Sequence, residues 1–196
     1  MPLPASFYAR PTLIVARELL GCRLVHIVEG ERLSGIITET EAYIGENDLA
    51  CHAKAGLTPR TRVMYGPPGR AYVYFTYGMH WLLNVVTEAE GFPAAVLIRA
   101  VEVETGIERA QANRPGVALK HLADGPAKLT RAFGIGPAHN NRDLTRLDSH
   151  LWIEPGLEIA DSGVTIGPRV GLYNVPEPWK SMPWRYRVPE IRLPRT

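Results

Sequence analysis

The sequence predicts an α+β fold: one domain spanning residues 1–196, built on a curved, largely antiparallel β-sheet with peripheral helices and a protruding β-hairpin. Three observations lead there. Runs rich in β-branched and aromatic residues recur along the chain, two helical patterns interrupt or follow them, and no repeat, low-complexity tract or linker divides the sequence. A length of 196 residues suits one domain of generous size better than two.

The elements follow in order. Thr12 can cap a short helix whose apolar positions Leu13, Ala16, Leu19 and Leu20 recur at helical spacing, with Gly21 just past its end. Strands are expected at 23–29, 33–40, 71–77, 81–87 and 94–103, most of them separated by turn residues. A helix is expected over about 104–113. Another opens at Asp124, its cap, with Pro126 in the first turn, and closes at Gly134. Short strands at 151–153, 157–160, 164–170 and 184–188 complete the proline-rich last third.

Composition excludes several classes. The chain is 45% hydrophobic and has no apolar run near the ~20 residues that span a bilayer. MPLPASFYARP lacks the basic and apolar regions of a secretory signal, so an intracellular, cytoplasmic protein is expected. Cys22 and Cys51 are only two cysteines without C-x-x-C spacing, which leaves neither a disulfide framework nor a zinc knuckle. The six histidines show no metal-ligand spacing, and metalloprotease, serine-hydrolase, P-loop and dinucleotide motifs are missing. A site without metal or cofactor is expected.

Net charge is only +2, but its distribution is uneven. From Leu49 to Thr87 there is no Asp or Glu, while Lys54, Arg60, Arg62 and Arg70 interleave with Tyr65, Tyr72, Tyr74, Tyr77 and Trp81. Only four of 22 basic residues are lysine, and arginine's planar fork suits phosphates and bases. Solvated surface arginine explains charge alone equally well; nucleic acid becomes a candidate partner. The runs 71–77 and 81–87 should pair as a hairpin with Tyr77 and Met79 at its tip, where Tyr77 either folds back onto the sheet or acts as a wedge. Tyr74 need not share the wedge's direction.

If 33–41 is extended, Thr38 and Thr40 face one way while Glu39, Glu41 and Tyr43 face the other. Glu39 reads as a rim residue or an arginine's partner. Glu41 precedes the small, apolar stretch Ala42-Tyr43-Ile44-Gly45, where desolvation raises a carboxyl's pKa and its capacity as a base. Spacing alone leaves catalysis the minority reading.

Taken together, ETEAY (39–43), ACH (50–52), TPRTRVM (58–64), YVYFTYGM (72–79), Asn84, VLIR (96–99), DGPAKL (124–129), RDL (142–144), RVG (169–171) and WRY (184–186) closely resemble the alkyladenine (3-methyladenine) DNA glycosylase family. The resemblance runs from about Leu13 to Tyr186. It implies a monofunctional, cofactor-free enzyme, expected as a monomer near the nucleoid, that flips damaged purines from duplex DNA and hydrolyses the N-glycosidic bond. The lesions implied are 3-methyladenine and 7-methylguanine, with hypoxanthine and ethenoadenine as neutral candidates. Glu41 would activate the catalytic water, assisted by Arg99. Tyr43, His52, Tyr74, Asn84, Leu97 and Val170 would form the base pocket, Tyr77 and Met79 the wedge, and Arg60, Arg62, Lys128 and the C-terminal arginines, Arg192 and Arg195 among them, contacts to the backbone. Asn47, Cys51 and His80 depart from the family pattern beside the pocket or wedge, where substrate range is set. The chain lacks the N-terminal extension of vertebrate members, which suggests a compact bacterial version. Two alternatives remain on the residues themselves: a bifunctional lyase using one of the four lysines, and a non-catalytic module stacking bases on Tyr72, Tyr74, Tyr77 and Trp81.

Overall fold

The computed structural model describes residues 1–189, so Arg192 and Arg195, expected to help bind DNA, lie outside the described residues. Two short helices, α1 (Ala5–Tyr8) and α2 (Thr12–Glu18), lead into strands β1 (Arg23–Val28) and β2 (Glu31–Ile44). Glu29 and Gly30 join these strands with φ of 54° and 84°, the positive values that a two-residue hairpin turn of the right twist requires. Next come β3 (Ala71–Thr76), β4 (His80–Val86), β5 (Ala94–Thr105), α3 (Ile107–Asn113) and α4 (Pro126–Ala132). Strands β6 (Leu151–Glu154), β7 (Thr165–Gly167) and β8 (Arg185–Arg187) finish the described chain. The sheet runs β3-β4-β5-β2-β1-β6, with β8 joining β2 and β7 joining β8. Among the described residues every strand pairing is antiparallel, in keeping with the largely antiparallel sheet expected.

Side-chain alternation sorts β3, β4 and β5 into two faces. Ala71, Val73, Leu83, Val85, Val96 and Ile98 point into the main core with α2 and α4 residues such as Ala16, Leu129 and Ala132. Tyr72, Val86 and Ala95 point the other way, into a smaller cluster closed by Cys51, Ala53 and Met64 from two 3-10 turns and the loop between strands. Thr40 belongs to the first face, donating its hydroxyl to the Ala16 carbonyl at 2.7 Å.

Several expected boundaries differ. Helix α2 starts at Thr12 with Pro11 before it, and Thr12 donates its N–H and hydroxyl to Glu88 at 2.7 and 2.8 Å rather than capping. Strand β5 runs to Thr105, because Ser34 pairs with Thr105 across the sheet; α3 therefore begins at Ile107, not 104. Gly125, not Asp124, precedes α4; the Asp124 carboxylate takes Lys128 and His121 at 2.8 Å each. Residues 157–160 form no strand. They cross close over Gly21, where a Cβ would lie 2.1 Å from the Leu157 carbonyl oxygen, with one hydrogen bond from Leu157 to Gly21 in place of a ladder. Strand β2 is longer than the expected 33–40 and runs to Ile44, so both Glu41 and Tyr43 lie on it.

Candidate active site

Cross-strand partners point to the same face, so register alone aligns one row of residues over the second face. Tyr72 pairs with Asn84, Asn84 with Leu97, Leu97 with Glu41, and Glu41 with Arg185. Arg99 joins the row through two compensating irregularities. Ile37 pairs with Val101, Glu39 with Ala100 and Thr40 with Ile98, leaving Thr38 extra on β2 and Arg99 extra on β5. The Arg99 guanidinium then lies between two carboxylates, 2.7 Å from Glu39 and 3.3 Å from Glu41. Glu39 also meets Arg185 at 3.3 Å, which fits the expected ion-pair role.

Glu41 has no exposed surface. Its Oε1 accepts the Val170 N–H at 2.7 Å and its Oε2 the Tyr43 hydroxyl at 2.8 Å. Burial raises its pKa, and Arg99, the Val170 N–H and the Tyr43 hydroxyl oppose that shift in part. Oε2 has one hydrogen-bond partner among the described residues, which leaves acceptor capacity on that oxygen.

Tyr43, Arg99 and Val170 separate the carboxylate from a cleft of about 350 Å³, within the range of small-molecule pockets. His52, Tyr72, Tyr74, Asn84 and Leu97 line it further out, and Tyr77 stands at its mouth. The rings of His52 and Tyr74 meet edge to face with centroids 4.4 Å apart. His52 Nδ1 lies 3.0 Å from the Tyr72 hydroxyl. Burial, then Arg60 and Lys54, push the His52 pKa down to about 4, so the ring is neutral at physiological pH. Asn84 donates to the Tyr72 carbonyl at 3.0 Å, which fixes its amide against the wall.

The hairpin tip reaches past the cleft. Tyr77 and Gly78 both have positive φ, 50° and 66°, and Tyr77 is 80% exposed, so it does not fold back onto the sheet. Tyr74 and Tyr77 line the same cleft. Met79, 67% exposed, lines a second groove on the tip's other flank with Trp81, Lys128 and Arg131. Lys128 therefore sits apart from the main cleft, paired with Asp124. Arg60 lies over the Tyr74 ring, 5.3 Å from its centroid, and Arg62 is exposed on the turn Arg62–Tyr65. Among the described residues, no group of three or more His, Cys, Asp or Glu side chains could hold a metal ion.

Three residues at or behind the cleft, Tyr72, Asp48 and Arg169, were not among the expected pocket residues. Tyr72 shares a face with Tyr74 by strand alternation, a signal that was present. Asp48 and Arg169 form a fully buried ion pair behind Tyr43, 121 residues apart in sequence, and no local pattern announces such a pair.

The model of the methylpurine-DNA glycosylase family matches residues 6–192. A protein of Myxococcus xanthus named "Putative 3-methyladenine DNA glycosylase" is 52% identical over 183 residues, 93% of this chain and 88% of that protein. Proteins of the same name from Carboxydothermus hydrogenoformans and Methanocella arvoryzae are 47% and 48% identical, covering 95% and 94% of this chain and 94% and 90% of their own lengths. No helix among the described residues is long and apolar enough to cross a membrane. The matched length takes in every strand of the sheet and every side chain of the row beneath the cleft, and the chain belongs to the methylpurine-DNA glycosylase family.

Proposed function

We propose that this chain is a monofunctional DNA glycosylase that acts on alkylated purines, 3-methyladenine foremost, after drawing them out of duplex DNA. The observation that carries the reading is a fully buried glutamate, held by two hydrogen-bond donors and the Arg99 guanidinium just behind the inner wall of an aromatic cleft, with an exposed tyrosine at the mouth. A base that leaves the stack loses a few kcal/mol of stacking and pairing, less when it is damaged. Tyr77 would fill the gap it leaves, and the extruded base would enter between Tyr43, His52 and Tyr74.

Electron-rich rings attract a cation over their faces, which suits purines that alkylation has made cationic. A neutral His52 adds no repulsion to such a base. Asn84 and Leu97 would set the shape of the pocket floor, with the fixed Asn84 amide meeting the exocyclic N2 amino group of guanine. Water bound at the remaining acceptor site of Glu41 Oε2 would give up its proton as it attacks the sugar's C1′. The carboxylate's charge, oriented by Arg99, would also favour the oxocarbenium-like transition state. No lysine lines the cleft among the described residues, which supports hydrolysis over lyase chemistry. Borohydride trapping of the protein on damaged DNA would show otherwise.

Glu41→Gln tests the reading. Excision from a duplex with one 3-methyladenine or ethenoadenine should fall by a factor of about 1,000 or more under single-turnover conditions, while duplex binding persists. Undiminished release of free base by that variant rejects Glu41 as the base. No release by the parent protein from any alkylated duplex favours a binding module instead.

A further inference from the structure

The Val170 N–H reaches Glu41 from a stretch with little regular structure: between β6 and β8 the only strand is the three-residue β7. Its neighbour Arg169, by contrast, is held on several sides. Nη1 donates to the Ala42 carbonyl at 2.9 Å and to Asp48 Oδ2 at 2.5 Å. Nη2 donates to Asp48 Oδ1 at 2.9 Å and to the Trp179 carbonyl at 3.2 Å. The guanidinium carbon lies 4.7 Å from the Tyr43 ring centroid and 4.9 Å from that of Trp184. Asp48 in turn accepts the N–H groups of Ile44 and Ala50 at 3.3 and 3.0 Å.

Stability alone is a poor reason for such a pair. Desolvating both charges offsets most of their attraction, and an apolar pair often packs as well. Its location is more telling, because two groups that hydrogen-bond Glu41 depend on it. Val170 follows Arg169 in the chain, and the Tyr43 ring lies against the guanidinium.

We propose that Asp48 and Arg169 form a positioning clasp that holds the Val170 N–H and the Tyr43 hydroxyl on the two oxygens of Glu41, and so governs when that carboxylate can act as a base. The proposal deepens the glycosylase reading and rests on it. The charged and titratable groups around Glu41 are Arg99 on β5, Glu39 and Tyr43 on β2, Arg185 on β8, Tyr74 on β3, and Arg169 behind Tyr43.

Arg169→Lys keeps the charge but cannot fill the slot between two rings or bind Asp48 through two parallel bonds. The double change Asp48→Asn with Arg169→Gln keeps the pair's net charge and serves where the lysine variant does not fold. With carbon-13-labelled glutamate, and Glu41→Gln to identify the resonance, the Glu41 carboxyl should titrate about half a pH unit or more higher in the variants. Excision of ethenoadenine from duplex should fall ~10-fold or more at neutral pH, with the acidic limb of its pH profile shifted the same way. An unshifted titration and limb overturn the clasp even if the rate drops, since a purely structural role lowers the rate alone. Failure of both variants to fold also counts against it. A parent protein that releases no base overturns the glycosylase reading instead, while the carboxyl titration still decides the clasp.

Discussion

Burying Glu41 removes its hydration, and the Arg99 charge and two hydrogen-bond donors restore only part of the loss, so its pKa is raised. The folded protein then binds that proton more tightly than the unfolded chain does. The resulting stability is fully present below the ordinary glutamate range and disappears as pH climbs through the raised value. Glu41→Gln cannot ionise, so it should melt higher than the parent at pH 8 and lose that advantage near pH 4. Thermal melts across this range measure it; a variant less stable than the parent at pH 8 would mean that hydrogen bonds to the carboxylate outweigh desolvation. The apolar residues after Glu41 made its burial legible in the sequence. Its partners were less so: Tyr43 lies two residues on, but the Val170 N–H comes from 129 residues away.

Among the elements, the β3–β4 hairpin was the most legible, because a three-residue gap between aromatic runs leaves few alternatives. Its tip also shows a conflict of local preference. Tyr77 adopts positive φ, a conformation that disfavours a Cβ by about 1 kcal/mol, in a turn that asparagine or glycine would fill without strain. A wedge role explains the choice and predicts its signature. Tyr77→Ala should lower excision from duplex about 10-fold or more, because the unstacked state loses its prop, yet barely affect excision from a single strand carrying the same lesion. Equal losses on both substrates would remove the wedge. The paired irregularities in β2 and β5 had no visible sequence signal, since neither Thr38 nor Arg99 is a residue that marks a bulge. Helix caps missed by one position because Thr12 and Asp124 found long-range and side-chain partners instead.

For the molecule as a whole, three histidines contribute to the response to mild acid. The pKa values of His52 and His139 are pushed down to about 4, and that of His26 is lowered, mainly by burial. His26 and His139 meet through their Nε2 atoms at 3.1 Å, an arrangement that two protonated rings cannot keep. Each lowered value means that the unfolded chain takes up the proton first. Stability is therefore present above about pH 6.5 and should fall between there and pH 4, opposed by the contrary trend of Glu41. Replacing His139 by Gln should flatten part of that decline in the melting temperature; an unchanged slope would discharge the pair from this role. DNA binding should weaken steeply with added salt. Removing Arg60, Arg62 or Lys128 should each reduce the logarithmic slope by about 0.9 for every phosphate that the side chain neutralises. Lys128 must leave Asp124 to contribute, so Lys128→Ala is expected to act least. An unaltered slope in all three variants would place the phosphates elsewhere.

Because β3, β4, β5 and β2 all supply members to a single transverse line, the proposed chemistry doubles as a parity check on the sheet. Adding or deleting one amino acid within any of those strands would turn one member over to the helix-packed side, however well the remaining packing survived. The extra positions at Thr38 and Arg99 escape this only because they cancel. Single-codon insertions there should thus silence turnover even in protein that still folds.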